Sequence, residues 1–189
     1  MKNSLKNMIL TLLLISLVAS AAVGLVYRVT AAPIAKSQEQ SRIAALKKVL
    51  SQFDNNPVDE LQTIGIDDIP LKVYTARQGG QVVGYAVETL SREGYGGTIV
   101  LMAGFRPDGE IIGIEALSHS ETPGLGDKID SRKSNFSVQF RGKNPATFRL
   151  AVKKDGGDVD AITASTISSR AYAAAVRRGY DAVMQLTKE

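Results

Sequence analysis

The sequence predicts an α+β protein: a single N-terminal transmembrane helix, then a domain with an antiparallel sheet and flanking helices. Three features predict it. Residues 7–27 carry no charged side chain. Between residues 71 and 117, β-prone runs are punctuated by Gly79-Gly80 and Pro107-Asp108-Gly109, which is how hairpins read in a sequence. Toward the C-terminus, Tyr172, Val176, Gly179, Val183 and Leu186 recur at helical spacing.

The first element is the apolar stretch closed by Lys6 and Arg28. At about 1.5 Å per residue it spans the roughly 30 Å hydrocarbon layer. Residues 1–30 are therefore expected to form a membrane anchor, with the span at about 8–28. A cleaved signal peptide is the alternative. Lys2 and Lys6 resemble its basic start, and Ala19-Ser20-Ala21 resembles a cleavage site. The apolar stretch exceeds the ~7–15 residues of a signal core, which favours the anchor. Lys2 and Lys6 favour a cytoplasmic N-terminus, while Arg28, Lys36 and Arg42 blunt that bias. Long domains translocate largely regardless of charge. The expected location is the inner (cytoplasmic) membrane, single-pass, with the domain facing the periplasm or cell exterior.

Residues 31–70 read as a stalk and joint. Pro33 is expected to interrupt the chain. A separate amphipathic helix over 37–53 follows from Ile43, Leu46, Leu50 and Phe53, with Ser37 and Gln40 as a capping box. Residues 54–70 are turn-rich. The domain proper occupies 71–189. Strands are expected at 71–77, 82–90, 98–106 and 110–117, with shorter ones at 136–140 and 148–153. A final helix is expected over 168–186, with Arg170, Arg177, Arg178 and Asp181 on its polar side.

Composition then limits the chemistry. Hydrophobic residues make up 44% and charged residues 22%, and the net charge is +4 with pI about 9.3. That balance suits an anionic cofactor or an acidic lipid surface. The basic residues are scattered, so nucleic acid is not an expected partner. Cysteine is absent and His119 is the lone histidine. Disulfides, thiolate zinc sites, iron–sulfur clusters and multi-histidine metal sites are thereby excluded. Any electron chemistry needs an organic cofactor.

Two segments are dense in residues that helices and strands avoid. In residues 119–128, Gly124 and Gly126 flank Leu125, letting backbone approach a flat ligand. A plain surface turn is the other reading. Residues 153–170 end where the last helix begins. Five hydroxyls, Thr163, Ser165, Thr166, Ser168 and Ser169, sit there. One cap needs only one of them. A helix N-terminus also favours phosphate, and Arg170 or Lys153 could add charge. Spacing alone does not make such a phosphate covalent. No Walker loop or nucleophile elbow occurs, and Gly94-Tyr95-Gly96-Gly97 reads as a turn before a strand rather than a dinucleotide fingerprint.

Ser-Glu-Thr-Pro-Gly-Leu-Gly-Asp-Lys-Ile (120–129) and Val-Lys-Lys-Asp-Gly-Gly-Asp-Val-Asp-Ala-Ile-Thr (152–163) resemble the FMN-binding domain of the G subunit of the Rnf electron-transport complex. The C subunit of the sodium-translocating NADH:quinone reductase is a relative. The resemblance extends over the whole chain in layout. It implies FMN joined through a phosphoester to a threonine closing a motif Asp-x-x-Ser/Thr-Gly-Ala-Thr, a bond made by a dedicated flavin transferase. Carried over, Asp160 opens the motif, Thr163 fills its hydroxyl position and Thr166 is the acceptor. Ala164 and Ser165 depart from the usual glycine and alanine, and Ser165 adds a competing hydroxyl. Glu121, Thr122, Gly124, Leu125 and Gly126 are then expected around the flavin ring, with Lys128 or Lys153 near its N1 edge. The implied role is a redox subunit, rather than an enzyme alone, passing electrons among the other subunits of an ion-translocating membrane complex. An FMN-binding accessory or sensor module of a membrane regulator is the alternative.

Overall fold

The computed structural model describes residues 2–50 and 52–188. The elements in chain order are α1 (Lys2–Val49), β1 (Leu61–Ile66), β2 (Ile69–Gln78), β3 (Gln81–Gly94), β4 (Gly97–Phe105), β5 (Ile111–Ser118) and α2 (Thr166–Leu186). The chain divides into two compact units, Met1–Ser41 and Arg42–Glu189.

In the first unit the helix shows apolar side chains on every side, Leu10, Leu13, Leu14 and Leu17 among them, each about 60% exposed or more. A helix apolar all round, with nothing packed on it, needs a nonaqueous surround. It is long and apolar enough to cross a membrane. Pro33 lies inside the helix and does not end it, contrary to the expected interruption. Proline removes one N–H and one backbone bond. The neighbours Ala31, Ala32 and Ala35 are strong helix formers that carry the helix past it. The expected helix over 37–53 is thus no separate element, and Ser37 and Gln40 are interior positions rather than a cap. Helix α1 ends at Val49, and Ser51 lies outside the described residues.

The second unit is built on a five-stranded antiparallel meander in the order β1-β2-β3-β4-β5. The four expected strands are present. Strand β1 lies where the sequence predicts a turn-rich joint. Its turn into β2 is Asp67-Asp68, both left-handed at φ 50° and 60°, the backbone of a type I′ hairpin without its usual glycine. One sheet face packs on α2 through Leu71, Val73, Val87, Leu101 and Phe105 against Tyr172, Val176 and Val183. The other carries Tyr74, Ala76, Ala86 and Met102 against Ala45, Leu46, Val49 and Leu50. Fully burying one large apolar side chain contributes about 1.5–3 kcal/mol, so both layers matter.

Two expected strands are absent. Residues Phe136–Phe140 form a 3-10 helix. Phe-Ser-Val-Gln-Phe alternates like a strand, yet Val138 is 55% exposed while Phe136 and Phe140 are buried. The two phenylalanines instead pack on Tyr172, with ring centroids 5.2 and 5.4 Å away. Over 148–153 only Val152 pairs, in one bridge to Val159. A 3-10 turn, Lys153–Asp155, closed by left-handed Gly156, takes the place of the rest.

Candidate functional site

Three segments converge at the start of α2: the β3–β4 turn, the 119–126 loop and residues 164–168. Their close approach rests on glycines. A Cβ on Gly96 would overlap the Ser120 carbonyl, and one on Gly126 would sit 2.5 Å from Glu121 Oε2 and 2.7 Å from Ser168 Oγ. Glu121 binds the three together. It is 5% exposed. Its Oε1 accepts from the Gly96 N–H at 3.0 Å, and its Oε2 accepts from the Ser168 hydroxyl. Its own N–H donates to His119 Nδ1 at 3.3 Å. His119 Nε2 lies 4.0 Å from Asp130. The Arg132 guanidinium hydrogen-bonds Asp130 and holds that carboxyl below its ordinary pKa, with burial opposing.

The five hydroxyls around the helix start divide by role. Ser168 is committed to Glu121. Ser169 Oγ donates to the Ser165 carbonyl and accepts from the Ile162 N–H, both at 2.9 Å. Ser165 occupies the N-cap position but makes no side-chain cap bond, and no acidic residue sits in the first turn. The leading N–H groups of α2, which have no partner within the helix, are thus left without that cap. Thr166, the first helical residue, is half-buried. Just before it, Ala164 adopts φ +61°, a left-handed conformation that glycine takes freely and alanine does not.

Thr166 stands in the wall of a cavity of about 490 Å³. Such a volume falls within the ~300–1,000 Å³ of small-ligand and cofactor sites. Of the expected residues, Glu121, Thr122, Leu125, Gly126, Ser165 and Thr166 line it. Gly124 is exposed beside Leu125 with φ +77° and is outside the wall. Thr163 is exposed and also outside. Lys153 and Asp160 pair with each other at 2.7 Å, away from the lining. Gln139 holds the Asp160 backbone from both sides, accepting its N–H at 2.8 Å and donating to its carbonyl at 3.1 Å. Arg170 is likewise engaged, by Asp155 at 2.6 Å.

Sequence reasoning missed Tyr95, Ile167, Ser168 and Ala164 as wall residues. Tyr95, 71% exposed at the hairpin tip, and Ile167, 48% exposed, join Leu125, 42% exposed, as an apolar rim. An aromatic between glycines in a tight turn was the available signal, since it has no core to reach.

The FMN-binding domain family matches residues 94–181. The chain is 39% identical to the G subunit of the ion-translocating oxidoreductase complex of Shewanella loihica, over 94% of this chain and 89% of that protein. It is 35% identical to the corresponding protein of Vibrio cholerae (93% and 88% covered) and 36% identical to that of Pseudomonas aeruginosa (94% and 87%). The chain belongs to the G-subunit family of ion-translocating oxidoreductase complexes.

In this G-subunit chain the matched domain opens at Gly94 and so includes all three segments around the cavity. The residues present fit FMN. The uncapped start of α2 suits a phosphate. Tyr95, Leu125 and Ile167 offer apolar surface to a flat ring, and the glycine contacts bring backbone close enough to meet its polar edge.

Proposed function

We propose that this G-subunit chain carries FMN esterified through its phosphate to Thr166 Oγ1, and passes electrons within an ion-translocating oxidoreductase complex. The observation that carries the reading is the place of Thr166: first residue of α2, half-buried, in the wall of the cavity with the apolar rim. Bound FMN supplies one- and two-electron transfer. The first turn of α2 directs N–H groups toward the phosphate and stabilises its charge. Tyr95 and Leu125 would hold the ring, while Glu121, a wall residue, keeps the wall in shape through Gly96 and Ser168. The open rim leaves a ring edge accessible to a partner protein. Lys153, Asp160 and Thr163 lie on the outer side of the acceptor loop, where a flavin transferase would grip the motif during maturation.

The membrane helix would hold the domain at the lipid surface. Lys2 and Lys6 ahead of the apolar stretch support a cytoplasmic N-terminus and a domain outside that membrane. The partners would be the other subunits of the complex. The test is the intact mass and in-gel fluorescence of the full chain made alongside the transferase. A flavin-phosphate adduct is expected on peptide 155–170, and Thr166→Ala should abolish it. A fluorescent band that survives Thr166→Ala would defeat the acceptor assignment, and Ser165→Ala added to it would then test the neighbouring hydroxyl. Protease access from the periplasmic side of spheroplasts checks the orientation; a domain protected there would reverse it.

A further inference from the structure

A second cavity, of about 430 Å³, lies where β5 meets the end of α1 and the 131–141 segment, and it shares no wall residue with the cavity at α2. Four cationic side chains, Lys48, Arg132, Lys133 and Arg141, line it against one carboxylate, Glu115. That carboxylate is already satisfied, by Lys48 Nζ at 3.4 Å and the Ser131 hydroxyl at 2.7 Å. Arg132 is held by Asp130. Among the described residues Lys133 and Arg141 make no ion pair. A Cβ built on Gly113 would stand 4.0 Å from Arg141 Nη2, which puts this guanidinium over a floor formed by bare backbone. Lys133 and Arg141 thus line the cavity with no carboxylate of their own, an arrangement that an anionic ligand relieves.

The fully buried Tyr172 hydroxyl is not part of this wall; its polar neighbour Ser137 is. Ser137 and Asn135 supply further polar groups on the same wall.

We propose that this cavity is an oxyanion site that binds a phosphate group through Arg141 and Lys133, with Ser137 completing the contacts. A guanidinium fork, an ammonium and a hydroxyl on one cavity wall offer donors for the several acceptor oxygens of a phosphate. The phosphate could arrive free or as a phospholipid headgroup, and the experiment separates the two.

The full flavinylated chain in detergent is titrated calorimetrically with inorganic phosphate at low ionic strength, so that the proposed flavin site is already filled. Saturable one-site binding is expected, weakened at least tenfold in Lys133→Ala/Arg141→Ala. Both side chains are exposed, so the fold should persist. Arg149→Ala, an exposed cation elsewhere, should leave the affinity unchanged. Soluble short-chain phosphatidylglycerol is the second arm. If it competes more tightly than phosphate, the headgroup is the source; if it does not compete, free phosphate is. Absence of saturable binding, equal binding by the double variant, or equal loss in Arg149→Ala overturns the proposal.

Discussion

The Glu121–Ser168 hydrogen bond ties the start of α2 to the 119–126 loop, and a double-mutant cycle measures how firmly. Both ends are dry, Ser168 at 1% and Glu121 at 5% exposure. A hydrogen bond to a charged group contributes about 1.5–3 kcal/mol net. Glu121→Ala deletes this bond and the one from the Gly96 N–H, leaving both donors without an acceptor, so about 3–5 kcal/mol should be lost. Ser168→Ala deletes one bond and should lose about 1.5–3 kcal/mol. Glu121→Gln keeps the shape and allows neutral versions of both bonds, so its loss should be near 1 kcal/mol. The double alanine variant should lose less than the sum of the singles, by about 1.5–3 kcal/mol, because the shared bond disappears only once. Urea unfolding of the domain in the full chain, followed by circular dichroism at constant m, gives each value. If the single losses add to within about 0.5 kcal/mol, the two side chains are not bonded partners and the bracket described for this site fails.

Further expectations follow from single residues. Ala164→Gly relieves a left-handed alanine that costs about 1–2 kcal/mol, offset by about 0.4–1 kcal/mol of extra unfolded-chain entropy. It should raise stability by roughly 0.5–1 kcal/mol and Tm by about 1–4 °C; a lower Tm would contradict the strain at φ +61°. Tyr172→Phe removes a hydroxyl that makes no good bond, so in phosphate-free buffer Tm should hold or rise, and a fall of several degrees would show a partner in solution. Asp130 has its pKa lowered chiefly by the Arg132 hydrogen bond. Its contribution is therefore fully present above about pH 3.9, the unfolded value, and is lost as pH falls through the lower folded value. The urea midpoint measured from pH 6 to 2 should drop less steeply in Asp130→Asn, and identical slopes would remove Asp130 from the acid transition.

Much of the fold is legible in the sequence because its signals are local. The apolar run of 7–27, the Gly79-Gly80 turn and the helical spacing after Tyr172 each need only a short window. The misses share a different cause. Strand β1 is mostly exposed and turns on Asp67-Asp68, so neither burial alternation nor a glycine announces it. Phe136–Phe140 presents a two-residue alternation, and only the position of Tyr172, more than thirty residues on, decides that both phenylalanines turn inward. Pro33 carries the usual weight of a helix breaker, but the alanines around it hold the helix together.

The site divides in the same way. The motif spacing marks a run of hydroxyls at the mouth of α2, but spacing cannot rank them. Packing can. Ser168 turns toward a carboxylate 47 positions earlier in the chain. Ser169 closes a turn with Ser165 and Ile162. Thr163 faces solvent outside the cavity wall. Thr166, half-buried, and Ser165, 7% exposed, both remain in the cavity wall. Ala164 is left-handed two residues before α2 begins at Thr166, where helical periodicity alone predicts a start at Ser168. On the proposed reading, the preference for Thr166 over its neighbours depends on tertiary contacts such as the Glu121–Ser168 bond. It should weaken when Glu121 is removed, even though every residue of the acceptor motif is intact.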